Sequence, residues 1–160
     1  MRRIAPLLFA IHLLLLCGCT SIDCPLNSTV YCKYVVAGEV SPLPDTLFVT
    51  AISEHQEDVT LLNREVDVSD FLIPISYTQP VDVLVFSRKD SLSAVVNDTV
   101  RLSKLDQPHF ESIDCTPSYF HTLTSVEWTT HAIDSIIITK SKVTYDTTGG
   151  NIHIYFKSRD

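Results

Sequence analysis

The chain has 160 residues, a hydrophobic content of 45% and a formal net charge of −7 at pH 7. An acidic balance of this kind argues against nucleic acid or an anionic lipid surface as the partner. The acidic residues all follow position 18 and are scattered, so the composition favours one domain of ordinary size without an acidic tail.

Residues 1–18 are predicted to be a cleaved leader. Two arginines precede the apolar run Ile4 to Leu16, which is long enough for a signal peptide and too short to span a bilayer. The run ends in Leu16-Cys17-Gly18-Cys19, which resembles the bacterial lipobox with cysteine at its +1 position. Cys17 does not fit that position, because Leu16 would then occupy the place of the small residue.

The lipobox predicts lipidation of Cys19, with residues 19–24 as anchor and short tether. Each methylene that enters a bilayer contributes roughly 0.8 kcal/mol, so two or more acyl chains anchor a protein stably. Thr20 is not the aspartate associated with inner-membrane retention, and we therefore expect an outer-membrane lipoprotein that faces the periplasm. A soluble secreted protein cut nearby is the alternative.

Three cysteines remain when Cys19 carries lipid, so one internal disulfide at most forms and one thiol is left over. Cys24 and Cys115 lie in turn-like settings, whereas Cys32 lies in an alternating strand pattern, where a free cysteine behaves as a small hydrophobe. We therefore predict a Cys24–Cys115 disulfide. Cys24–Cys32 and Cys32–Cys115 are the alternatives.

Residues 25–160 are predicted to be a single all-β domain, because period-2 alternation and β-branched residues dominate them. Pro74 removes a hydrogen-bond donor, so its strand is expected at a sheet edge or a bulge. A short helical turn at 68–72 is the one helical candidate. The predicted strands are 29–36, 46–52, 59–63, 71–77, 81–87, 93–96, 99–103, 110–113, 120–129, 133–139, 143–145 and 151–156.

This pattern predicts an antiparallel Ig-like β-sandwich after the N-terminal lipoprotein signal peptide. Two lobes divided near residues 104–108 are the alternative. Each lobe would be small for independent stability, so we favour the single sandwich.

Histidines, aromatic residues and glycines give no strong signal of chemistry. No histidine pair has zinc-site spacing, and ordinary surface histidines are expected, although His121 and His131 could meet across paired strands. The sequence has no GxSxG elbow and no phosphate-binding glycine loop, so we predict neither an enzyme nor a cofactor. Aromatic side chains that could contact carbohydrate or protein, but that more often lie in a core, are Tyr119, Phe120, Trp128 and Tyr155.

Aspartate followed by serine or threonine, and then by an apolar residue or threonine, occurs more often than the roughly one or two matches expected from composition. The pattern resembles the O-glycosylation signal of Bacteroidetes envelope proteins, in which the middle hydroxyl carries a glycan on an exposed turn. The alternative is that Asp-Ser/Thr simply begins strands. The candidate hydroxyl residues are Thr46, Ser91, Thr99, Ser135 and Thr147.

Six short phrases spread over most of the mature chain are Ile22 to Asn27, Leu61 to Asn63, Pro74 to Thr78, Phe120 to Thr122, Ile133 to Ile136 and Asn151 to Phe156. Together they resemble a family of small Bacteroidetes lipoproteins of unknown function. The resemblance implies an envelope location and a β-rich fold beside an outer-membrane barrel protein, and it implies no catalytic residue.

The sequence therefore predicts a lipid-anchored envelope protein that acts as a non-enzymatic structural or protein-interaction module at the outer membrane. Its expected partners are the membrane, through the lipid, and an outer-membrane β-barrel or other envelope protein, with no nucleic acid. A glycan-binding accessory lipoprotein of a nutrient-uptake system is the first alternative, and a hydrolase with its site in loops is the second.

Overall fold

The computed structural model describes residues 24, 29–53, 57–92 and 94–158. Those residues form ten β-strands and no helix, which confirms the all-β prediction. Accordingly, none of them belongs to a helix that is long and apolar enough to cross a membrane. The predicted leader, the lipidation residue Cys19 and most of its tether lie outside the described residues, as does His55.

The strands occupy β1 Tyr31–Ala37, β2 Thr46–Ile52, β3 Val59–Glu65, β4 Asp70–Pro74, β5 Val81–Lys89, β6 Val95–His109, β7 Ser118–Trp128, β8 Ile133–Ile138, β9 Lys142–Val143 and β10 Ile152–Phe156. Buried side chains alternate with more exposed ones along most of them, so these strands have one face toward the core and one toward solvent.

Two sheets share one hydrophobic core in a sandwich-like arrangement. The four-stranded sheet has the order β4-β1-β10-β8, and the six-stranded sheet has the order β3-β2-β5-β6-β7-β9. Tyr34 and Phe71 of the first sheet stack at 5.2 Å, and both rings contact Phe86 of the second. These three rings join the sheets at the centre of the molecule.

The prediction of purely antiparallel pairing is wrong for one pair. β1 and β10 run parallel, with Tyr34 opposite Ile152, while the other paired strands are antiparallel. The cause is topological: β1 already pairs antiparallel with β4 on one side, and the last strand of the chain fills its other side. The Ig-like subclass stays a prediction.

Several predicted elements also change. Residues 95 and 96 of one predicted strand and all of the next, 99–103, are parts of the single strand β6, because Asp98 is buried within it and does not form a turn. Residues 110–113 form a loop in place of a strand. The prediction of a helical turn at 68–72 is wrong, because residues 70–72 belong to β4. The expected edge position of the Pro74 strand is confirmed, since β4 is the edge of its sheet.

Candidate functional site

The core-facing side chains of β5 and β6 form two rows, and each row has a charged residue at both of its ends. On β5 the buried row begins with Asp82 and ends with Arg88, and on β6 it begins with Asp98 and ends with Lys104. Leucine, valine and phenylalanine fill the middle of both rows. Burying a charge is costly unless it is paired, so each end of the sandwich needs an explanation.

At one end the charges tie the two sheets together. Arg88 pairs with Asp45 and donates to the carbonyl of Lys157 at 2.8 Å. The Asp98 carboxylate accepts hydrogen bonds from the backbone N–H groups of Ala132 at 2.6 Å and Ile133 at 2.8 Å, where β8 of the other sheet begins. This end is closed by structural contacts.

At the opposite end the sheets separate and leave a cleft of about 530 Å³. It lies where β2 and β4 finish and where β3 and β5 begin. Its volume lies within the usual range of small-molecule sites. The lining residues are mostly apolar and include Ala51, Ile52, Val59, Leu61, Ile75, Val83 and Leu84.

The polar part of the cleft contains a buried ion pair. Asp82 lines the cleft, and Lys104 Nζ donates to Asp82 Oδ1 at 3.1 Å and to the Gln79 carbonyl at 2.6 Å. Burial raises the pKa of Asp82, an effect that Lys104 and hydrogen bonds from Gln79 and the Ser76 backbone oppose. The pair fixes the loop after β4 against the start of β5, and so it shapes one wall of the cleft.

Two further titratable groups lie in the core near this pair. Burial, with a smaller contribution from the Asp82 charge, raises the pKa of the Cys32 thiol, which keeps it protonated. A protonated, inaccessible thiol is a poor nucleophile, so Cys32 serves as a packing residue. Burial also raises the pKa of Tyr34, and within the described part of the chain its hydroxyl has no hydrogen-bond partner.

A second, smaller cavity of about 250 Å³ adjoins the cleft, with Ile75 in the wall of both. Tyr77 and Tyr119 stack beside it at 4.4 Å. His121 also lines it and contacts Asp106 through Nδ1 at 2.6 Å. The prediction of surface histidines is wrong for His121, because its side chain is buried against the edge of the core.

The structure does not support a histidine cluster. His121 binds Asp106 on β6, whereas His131 binds Asp98 through Nδ1 at 3.1 Å and is otherwise exposed. In the ranges that the structure describes, no three His, Cys, Asp or Glu side chains are placed to hold a metal ion.

The other aromatic candidates have different surroundings. The Phe120 ring stacks on His109 at 4.1 Å, and Trp128 donates to the carbonyl of Asp134 at 3.4 Å. Tyr155 packs beside Gly38, where an added Cβ would lie only 3.0 Å from Cδ1 of that ring. These contacts are local packing and do not form a groove.

The candidate glycosylation residues differ in position. Ser91 is exposed in the turn after β5, and Thr147 lies half-buried in the loop before β10. Thr46, Thr99 and Ser135 are half-buried within strands, where the expected exposed turn is absent.

Aspartates of the same pattern have structural partners. Asp45 pairs with Arg88, Asp98 binds the backbone of β8, and Asp146 accepts a hydrogen bond from Lys140 Nζ at 2.7 Å. These three aspartates therefore have structural roles, and for Asp45 and Asp98 the partner lies far away in the chain. Glycosylation stays a prediction, and Ser91 is the one exposed residue of the five.

Cys24 and Cys115 form the predicted disulfide, with Cα atoms 5.5 Å apart. Cys115 lies in the loop between β6 and β7, next to Thr116 and Pro117 of the smaller cavity. The disulfide therefore fixes the N-terminal part of the chain at the end of the sandwich that contains both cavities. The sequence indicated this pairing but not the cleft, which distant segments form together.

Comparison with known proteins gives one positive finding. The model of a family of unknown function, DUF6452, matches residues 46–156, which run from the first residue of β2 to the last residue of β10. Neither a curated protein nor a solved structure matches the chain. The matched range contains every residue that lines the large cleft.

Proposed function

The chain belongs to the DUF6452 family, whose function is unknown, and we propose that it is a lipid-anchored module of the cell envelope that binds another envelope protein in the cleft. Its role in this proposal is binding and not catalysis. One observation carries the proposal: the cleft lies at the same end of the domain as the disulfide from which the N-terminal tether leaves.

The lining of the cleft supports an apolar segment of protein as the ligand. Pre-formed apolar walls with a few fixed polar groups are typical of binding sites. Glu57 lines the cleft together with Asp82, while the lysine behind Asp82 is fully buried, so the accessible charge is acidic. A segment that combines apolar side chains with a lysine or arginine is complementary to this surface.

The lipobox supports the location. A diacylated Cys19 would be separated from the Cys24 disulfide by four residues, so the domain would lie close to the membrane. An outer-membrane β-barrel or another protein with a segment at the periplasmic surface is then within reach of the cleft. We assign the protein to the periplasmic face of the outer membrane on this basis.

The anchor is tested by labelling native cells with radioactive palmitate. We expect label in the wild-type protein and none in a Cys19→Ala variant, with the wild type in the outer-membrane fraction. An unlabelled wild type, or one that stays in the soluble fraction, would refute the anchor.

The cleft is tested by photo-crosslinking in the native cell. A photoreactive phenylalanine analogue at Val59, which lines the cleft, should yield a crosslinked envelope protein. The same analogue at Val66 is the matched control, because Val66 is similarly exposed just after the other end of β3 and lies outside the cleft. Equal adducts from both positions, or none from Val59, would contradict the proposal.

A second candidate, glycan binding, is favoured by the two tyrosines at the smaller cavity. Tyr77 is 59% exposed, and the outer face of its ring is available for a sugar. Affinity electrophoresis in polysaccharide gels tests this candidate: retardation that Tyr77→Ala abolishes would support it, and unchanged mobility in all gels would refute it.

A further inference from the structure

The end of the molecule near the disulfide carries exposed apolar side chains. We call it the disulfide end and define it by the loops 75–80 and 110–117. Ile113 is 95% exposed, and Phe110 and Tyr77 are each 59% exposed. Tyr77 connects the loop 75–80 to β7, because its ring stacks on Tyr119 at the start of that strand, which follows the loop 110–117.

Exposed apolar residues are common on monomeric proteins, and Leu92 at the opposite end is also 87% exposed. Exposure alone therefore does not identify a contact surface. The position of the N-terminal chain distinguishes the two ends.

The disulfide limits where the anchor can lie. Ile113 is two residues from Cys115, whose Cα is 5.5 Å from that of Cys24. From Cys24 the chain can extend about 18 Å at most to reach Cys19. An acyl chain on Cys19 therefore enters the bilayer near the disulfide end.

The same tether is too short for the reverse orientation. β6 runs from the turn that contains Leu92 to the loop that contains Ile113, and its 15 residues span up to about 46 Å. If the domain stood on the bilayer with its Leu92 end down, the membrane would be beyond the reach of Cys19.

The charges at the disulfide end favour a zwitterionic bilayer over an anionic one. The loop 110–117 carries Glu111 and Asp114, and Lys104 in the middle of β6 is buried. An anionic surface would repel these carboxylates, whereas a zwitterionic surface would not. Phenylalanine and isoleucine would enter the apolar region while tyrosine stays at the polar interface.

We propose that the disulfide end rests on a zwitterionic lipid bilayer, with Phe110 and Ile113 inserted and Tyr77 at the interface. This inference depends on the proposed lipid anchor and adds an orientation to it. The cleft, which shares Ile75 with the smaller cavity at this end, then opens next to the membrane surface. Its partner is accordingly a protein segment that lies at that surface.

The test uses acylated protein in vesicles of phosphatidylcholine and phosphatidylethanolamine that contain a brominated lipid. Tryptophan is introduced as Ile113→Trp or, as the matched control, Leu92→Trp. Trp128 is common to all variants, and the wild type gives its baseline. We expect bromine to quench the added tryptophan at 113 at least twofold more than the one at 92.

Equal quenching at both positions, stronger quenching at 92, or none at either would overturn the orientation. Intact mass of the same samples separates this failure from failure of the anchor. A protein that carries the acyl mass but shows no quenching at 113 refutes the orientation alone. A native protein without acyl mass refutes the proposed anchor, and the orientation with it.

Discussion

Asp98 is a single residue on which the closed end of the sandwich depends. Its carboxylate accepts hydrogen bonds from the backbone of residues 131 to 133 and, at 2.7 Å, from the Thr129 hydroxyl. Hydrogen bonds to a charged group contribute about 1.5–3 kcal/mol each, and a buried N–H left without a partner is costly. The residue therefore links β6 of one sheet to β8 of the other.

We expect Asp98→Asn to lower the free energy of unfolding by about 2–4 kcal/mol, because the amide replaces one acceptor oxygen by a donor. Urea denaturation measures this change. Asp90→Asn is the matched control: Asp90 belongs to the same sequence pattern but accepts its bond from Ala94 on the surface, so its loss should be below about 1 kcal/mol. Similar losses for both variants would contradict the role of Asp98.

The loss at Asp98 should depend on pH. Burial alone would raise the pKa of Asp98, but hydrogen bonds from residues 129 to 133 outweigh it and lower the pKa. A lowered pKa stabilises the folded state fully above the unfolded value of about 3.9, and this contribution disappears as the pH falls through the folded value.

The difference in unfolding free energy between the wild type and Asp98→Asn should therefore be larger at pH 7 than at pH 3. Urea denaturation of both proteins at the two pH values measures it. Asp82, whose raised pKa has the opposite effect, is present in both proteins and cancels in the difference. A difference that does not shrink at pH 3 would contradict the lowered pKa.

The Asp82–Lys104 pair allows a second test at the scale of residues. Either Asp82→Asn or Lys104→Met leaves one buried polar group without its partner, and we expect each to cost about 3–5 kcal/mol. The double variant should cost less than either single one, because no charge is left unpaired. Equilibrium unfolding of the four proteins gives the coupling energy, and additive losses would show that the pair does not act as a unit.

The residue scale also shows what the sequence could reveal about the site. The Asp-Ser/Thr pattern stood out, but an aspartate that binds a distant strand and one that precedes an exposed turn look the same in sequence. Asp98 and Asp90 are such a pair. Lys104 and Asp82 gave no signal, because their contact depends on strand pairing across 22 positions.

At the scale of elements, local chemistry predicted strands well where burial alternates. β2 has the predicted bounds Thr46–Ile52, since it is rich in β-branched and other apolar residues and a Pro-rich segment precedes it. β6 was predicted as two strands, because Asn97 and Asp98 are typical turn residues. The burial of Asp98 against β8 overrides that preference, and only the tertiary fold supplies this contact.

The turn before β10 contains two glycines that differ in one respect. Gly149 and Gly150 both have a φ of +74°, but a Cβ on Gly150 would lie 2.5 Å from Val35 Cγ2, whereas one on Gly149 would meet nothing within 4 Å. The two glycines therefore share the same positive φ but differ in the space that a side chain would find.

We expect Gly149→Ala to cost about 1 kcal/mol through backbone strain and Gly150→Ala about 2–4 kcal/mol through strain and the clash with Val35. Thermal or urea unfolding measures both. Adding Val35→Ala to Gly150→Ala should recover part of the loss. Equal losses at the two glycines would mean that β1 and β10 are packed less closely than the structure describes.

At the scale of the whole molecule, the Cys24–Cys115 disulfide closes a loop of 91 residues. The chain-entropy model gives about 4–5 kcal/mol for a loop of this length. We expect the Cys24→Ala, Cys115→Ala double variant to lose most of that free energy of unfolding in urea. Cys32→Ala, which removes a buried thiol without opening a loop, is the comparison and should lose about 1–2 kcal/mol. A double variant as stable as the wild type would contradict the stabilisation that the chain-entropy model gives for this disulfide.

The arrangement of the whole molecule could be predicted from the sequence only in part. Alternation indicated two-faced strands and hence a sandwich, and cysteine settings indicated the disulfide. The strand order, the parallel β1–β10 pair and the cleft depend on contacts between segments far apart in the chain. No local pattern encodes them, because the same alternation is compatible with many strand orders.

The parallel pairing of β1 with β10 has a consequence for how the protein is made. A ribosome releases residue 34 long before residue 152, its partner across this pair. Until then Tyr34, which is fully buried in the finished domain, lacks the strand beside it. The growing polypeptide therefore exposes the apolar residues and the free edge of β1, and so can aggregate, until β10 emerges. A chaperone that shields β1 during that interval would raise the yield of folded protein.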